Sequence, residues 1–151
     1  MQVAASTPTS SPDAFRLYCQ PDIIEAMKLI WIRTGNGSSQ AEAAFNVTGV
    51  AAPGKYRIWP VPFTNQSGYM DLVLPAGTFA NFHVHPNNSG GMPSTKDNNR
   101  RGNGVGDTGT ANRAGIRIYI VSREGLAFYD GITRQPAVKL RNGLDWTHPC
   151  K

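Results

Sequence analysis

Ile116-Arg117-Ile118-Tyr119-Ile120-Val121-Ser122 is the clearest strand in the chain. It is built almost wholly of β-branched and aromatic residues, which fit a pleated, half-buried surface. Arg123–Glu124 then turns the chain, and Gly125 to Tyr129 reads as the hairpin partner, ended by a second turn at Asp130–Gly131. A last short strand is expected over 136–141. Toward the N-terminus the same signal recurs near 41–50, 55–60, 69–74 and 78–85, with Pro and Gly between the segments. Ahead of these strands the period changes. Ile23, Met27 and Ile30, flanked by Ile24 and Trp31, make a helical stripe. Pro21 suits a first turn, Asp22 and Glu25 suit a helix N-terminus, and Gly35 and Gly37 stop it. The spacing predicts a helix over 21–33. One helix leading into a set of strands predicts an α/β or α+β fold, a mixed β-sheet flanked by helix.

Composition bounds the rest. The chain has 151 residues, enough for one core and too few for two. Charged residues make up only 17%, and 16 Gly with 11 Pro imply much loop, which excludes a coiled coil. At 40% hydrophobic residues, chain-wide disorder is excluded too. No apolar run approaches the roughly 20 residues of a membrane span. The net charge of +5 could favour nucleic acid or cell wall, but Arg100–Arg101 is the only adjacent basic pair and has no aromatic platform beside it. No specific nucleic-acid partner is expected. Residues 1–14, small, polar and Pro-containing, are expected to be a flexible leader, with a single domain over 15–151. The leader lacks the apolar stretch of a signal peptide.

Two cysteines, Cys19 and Cys150, stand near the chain ends, which in many domains lie close together. A disulfide is the expected pairing and implies a secreted or periplasmic protein; two reduced cysteines in a cytoplasmic one is the alternative.

The residues with chemical promise are Phe82-His83-Val84-His85-Pro86. Residues i and i+2 of a strand share a face, so both imidazoles can address one metal ion. Two same-face histidines hydrogen-bonded without metal is the plainer reading. A two-His site needs an oxygen ligand, and the loop expected over 86–109 supplies Asp97 and Asp107. Ser94-Thr95-Lys96-Asp97 places a hydroxyl where it could orient a carboxylate. Metal-activated water also needs a base. Of the three glutamates, Glu25 falls on the helix and Glu124 in a turn, whereas Glu42 opens the first strand beside Phe45 and Val47.

Together these residues resemble the JAMM, or MPN+, zinc metalloprotease motif: a glutamate upstream, His83-x-His85-Pro86, then Ser94-x-x-Asp97. Gly49 matches a glycine common in that family's first strand, and the hairpin at 119–129 resembles its strand pair after the active-site loop. The resemblance is to a divergent, bacterial-type member and covers most of 21–130. It implies a deaminase-like fold, Zn2+ held by His83, His85 and an aspartate, Glu42 as general base, Ser94 supporting the transition-state oxygen, and cleavage of a peptide or isopeptide bond in a peptide or protein substrate. Val84 departs from the family's Ser or Thr. Asn98 to Gly106 cannot start the helix that follows the ligand aspartate there, whereas Asp107-Thr108-Gly109-Thr110-Ala111 can. Spacing thus favours Asp97, slightly preferred, and the following context favours Asp107. A non-catalytic metal-binding or interaction module of the same fold is the alternative function.

Overall fold

The computed structural model describes residues 15–39, 42–62, 74–87, 90–94 and 106–150. The expected leader, residues 69–73 of the strand expected near 69–74, and Asp97 lie outside the described residues. The elements are α1 (Pro21–Arg33), β1 (Ala44–Gly49), β2 (Tyr56–Pro60), β3 (Thr78–Val84), α2 (Gly106–Ala114), β4 (Arg117–Ser122), β5 (Gly125–Asp130) and β6 (Val138–Asn142), with 3-10 turns at Leu17–Cys19 and Asp145–Thr147. The strands form one sheet in the order β2-β1-β3-β4-β5-β6. Among the described strands only the central pair, β3 with β4, is parallel; the other neighbours are antiparallel. A parallel pair needs a long crossover, and here it contains α2. The architecture is a mixed α+β single domain.

Alternation along the strands divides the sheet into two faces. Phe45 and Val47 of β1, Ala80, Phe82 and Val84 of β3, Tyr119 and Val121 of β4 and Leu126 of β5 join the core with Ile23, Met27 and Trp31 of α1. The helix forms where the sequence places it, with Pro at its first turn and its apolar stripe buried. The opposite face carries a smaller cluster in which Ile118 and Ile120 of β4 and Ala127 and Tyr129 of β5 pack with Ala111 of α2. On β3 this second face belongs to Asn81 and His83, the residues between the apolar ones.

Cys19 and Cys150 form a disulfide with a Cα–Cα separation of 5.3 Å, inside the usual range. The bond fastens the turn before α1 to the C-terminal turn, whose Trp146 is buried edge-on against Trp31. Three boundaries differ from expectation. Helix α2 starts at Gly106 and cuts short the loop expected to 109. Glu42 stands two residues before β1, not within it. The last strand runs Val138–Asn142, and Leu74 is not in a strand.

Candidate metal centre

The register across β1 and β3 sets Ala44 opposite His83 and Asn46 opposite Asn81. Val84 N–H donates to the Ala43 carbonyl beyond the strand's start, so β1 and β3 stay paired toward Glu42 and His85. His83 and His85 sit on one side with ring centroids 5.1 Å apart. Ligand-type atoms of Glu42, His83 and His85 all lie within 4.8 Å of one another, a group that could hold a metal ion. Glu42 is partly buried, whereas His83 is 1% exposed and His85 6%.

Asp107 approaches the same imidazoles from α2. Its Oδ1 is 3.3 Å from His83 Nε2 and its Oδ2 is 3.0 Å from His85 Nε2. Ser94 holds this carboxylate in place. Ser94 N–H donates to Asp107 Oδ2 at 2.9 Å, and Asp107 N–H donates to Ser94 Oγ at 3.0 Å. Thr108 N–H donates to the Ser94 carbonyl as well. This reciprocal pairing is what a cap does at a helix N-terminus, supplied from thirteen residues upstream. Among the described residues, the carboxylate that Ser94 orients is thus that of Asp107. The seat of α2 depends on Gly131: a side chain there would overlap the Ala111 carbonyl. The Tyr129 hydroxyl also donates to Asn112 Oδ1 at 2.7 Å.

The partners of the two rings bear on where their protons sit. His85 has an acceptor at each ring nitrogen, the Gly90 carbonyl at 3.2 Å from Nδ1 and Asp107 Oδ2 at 3.0 Å from Nε2, so one proton on the neutral ring serves only one of them. His83 Nδ1 faces Asn81 Oδ1 at 2.8 Å. The Asn81 amide is oriented by its nitrogen, which donates to Asn46 Oδ1 at 2.8 Å and points at the Phe45 carbonyl. His83 Nδ1 is then a donor, and in the neutral His83 ring Nε2 is a lone pair beside Asp107. His83 Nε2 is buried and makes no hydrogen bond among the described residues; its approach to Asp107 lacks hydrogen-bond geometry. An acceptor at each His85 nitrogen and a His83 lone pair beside the same carboxylate call for a positive charge among them, either an extra proton or a cation. Ligand atoms bound tetrahedrally to zinc at 2.0–2.1 Å would be about 3.3 Å apart, close to the separations found.

The local field agrees. Burial alone would lower the His83 pKa, but Asp107, and behind it Glu42, outweigh it and hold the ring above its ordinary value. Burial would raise Asp107, yet His83 and His85 hold its carboxyl well below the usual carboxylate range. A pocket this negative, which strengthens proton binding at Nε2, strengthens binding of a metal cation there as well.

Glu42, His83, His85, Ser94 and Asp107 are thus brought together. Glu25 pairs with Lys28 on the surface of α1 at 3.3 Å, apart from the site. The sequence reading missed Asn46 and Asn81. Asn81 stands two residues before His83, a signal that continuing the same-face spacing backwards would have found. Asn46 opens Asn46-Val47-Thr48, which has the form of a glycosylation acceptor, but at 2% exposure it is no acceptor. Compared with protein-family models, with the curated proteins and with solved structures, the chain matches none.

Proposed function

We propose that this chain is a zinc-dependent hydrolase of the JAMM kind, on a deaminase-like fold, cleaving a peptide or isopeptide bond. The observation that carries the proposal is the convergence of His83 Nε2, His85 Nε2 and the Asp107 carboxylate, with Glu42 in reach of both rings. Asp107 is preferred over Asp97 as the oxygen ligand because it already stands against both imidazoles, held there by Ser94. The donor set, two imidazoles and a carboxylate, matches zinc sites that keep one position open. Zinc in such a site would act as a Lewis acid and lower the pKa of bound water to about 7.

The residues of the chain divide the remaining work. Glu42 accepts the proton of the attacking water and returns it to the departing amine, the task of a general base that becomes an acid. Ser94 accepts from Asp107 N–H through its oxygen, so its own proton can be offered to the carbonyl oxygen of the substrate as charge develops there. The apolar packing of Ile118 and Ile120 beside the rings lowers the local dielectric and strengthens these interactions. The Cys19–Cys150 disulfide supports a secreted or periplasmic location.

The test is turnover on a panel of fluorogenic peptides and isopeptide-linked substrates with zinc-loaded protein. Replacing Glu42→Gln keeps size and removes basicity, so activity should fall about 10²–10⁴-fold while zinc remains bound. Equal turnover in the variant overturns the mechanism. Zinc binding with no turnover on any substrate of the panel favours the non-catalytic metal-binding module.

A further inference from the structure

The residues behind His83 form a buried polar line that metal coordination and acid–base chemistry do not by themselves require. Asn81 is fully buried, Asn46 is 2% exposed, and both lie among apolar strands. A polar side chain in such a place is costly unless fully paired. Here the pairing has a direction. Asn46 Oδ1 accepts from Asn81 Nδ2 at 2.8 Å, which turns Asn81 Oδ1 toward His83 Nδ1, also at 2.8 Å. The two asparagines face one another across the β1–β3 ladder, so the backbone register fixes their separation. Among the described residues no side chain meets His85 Nδ1, which faces the Gly90 carbonyl. The two imidazoles are therefore held by different means, one by a loop carbonyl and one by an asparagine pair inside the sheet.

We infer that Asn81, anchored by Asn46, is a positioning residue that fixes His83 as the Nδ1–H tautomer and so keeps its Nε2 available as a metal donor. A backbone carbonyl or carboxylate commonly performs this task for metal-bound histidine. A side-chain amide does it only if something prevents it from rotating by half a turn. The Phe45 carbonyl and Asn46 Oδ1 prevent that, because a rotated amide would bring its oxygen against two acceptors. Asn46 thus acts at one remove, by setting which end of the Asn81 amide meets the ring. The inference rests on the metal reading of the site, but the state of the ring can be measured in metal-free protein.

Ring nitrogen chemical shifts of His83 in the metal-free chain, in alkaline solution where the ring is neutral, report the tautomer directly. The expected result is one species, protonated at Nδ1. Competition with a chromophoric chelator then gives zinc affinity for the variants. Asn81→Leu should weaken zinc binding about 10–100-fold, the usual cost of losing a residue that orients a metal ligand. Asn81→Asp keeps an acceptor toward Nδ1 but sets its second oxygen against the Phe45 carbonyl and Asn46 Oδ1, so the single Nδ1–H tautomer should persist while zinc affinity recovers only in part, a split that a packing role alone would not produce. Asn46→Ala should give an intermediate loss with a mixed tautomer signal. A wild-type ring protonated at Nε2, or an Asn81→Leu protein that binds zinc as tightly as wild type, overturns the inference. If Asn81→Leu does not fold, the wild-type tautomer and Asn46→Ala still decide it. A fixed Nδ1–H tautomer in a chain that takes up no zinc would refute the metal reading and not the hold of Asn81 on the ring.

Discussion

On the α1 side of the sheet, Phe45, Phe82 and Tyr119 stack across three strands, with centroids 4.7 Å and 4.2 Å apart, and Phe128 extends the row at 5.0 Å. One residue along the same strands, on the other side, stand Asn46, Asn81 and His83. The first side is held by apolar area and ring packing, which are non-directional and tolerant of small shifts. The second is held by hydrogen bonds whose donors and acceptors must match atom for atom, and it buries polar groups at a cost. The period of two in a β-strand lets one segment, 80–84, serve both: its even positions stabilise the fold and its odd positions build the site. The difference shows where stability and chemistry can be separated by experiment.

The disulfide and the aromatic row belong to the stability side. The disulfide closes a separation of 131 residues, for which the chain-entropy model gives about 5 kcal/mol. The double variant Cys19→Ser/Cys150→Ser should therefore show the largest loss of stability in denaturant titration, up to that amount, while the folded fraction keeps its zinc affinity. Phe82→Ala removes the middle ring of the row and should cost about 3–5 kcal/mol. A loss below about 1 kcal/mol would mean that the row is not the centre of the core. At the small end, Glu42→Gln keeps the size of a partly buried side chain and should shift the unfolding free energy by less than about 1.5 kcal/mol, well short of the Phe82→Ala loss. A variant that removes turnover and leaves stability untouched would sharpen the division between the faces; one that unfolds the chain would break it.

Much of this division was legible in the sequence. The helix over 21–33 coincides with α1, because Pro at the start, glycines at the end and a clean apolar stripe leave little choice. The alternation in Phe82-His83-Val84-His85 showed that both imidazoles share a face. The Cys19–Cys150 pairing followed from the nearness of chain ends. What the sequence left open depended on contacts between distant residues. That Asp107 stands against both rings could not be read from spacing, since it depends on where α2 packs against the sheet. The Asn46–Asn81 pair depends on the β1–β3 register, and nothing local in either strand sets that register. Glu42 was placed within β1 because its neighbours are apolar; the strand begins two residues later, where the ladder to β3 starts.

The central claim is that His83, His85 and Asp107 hold one metal ion. Zinc content and X-ray absorption at the zinc edge, measured on the purified chain beside His83→Ala/His85→Ala and Asp107→Asn, test it most directly. The account predicts one zinc per chain with two imidazole nitrogens at about 2.0–2.1 Å and oxygen completing the shell. It further predicts loss of the ion in the double histidine variant and weakened binding in Asp107→Asn. A chain that takes up no zinc from stoichiometric solution, or one that keeps it after both histidines are removed, would contradict the account.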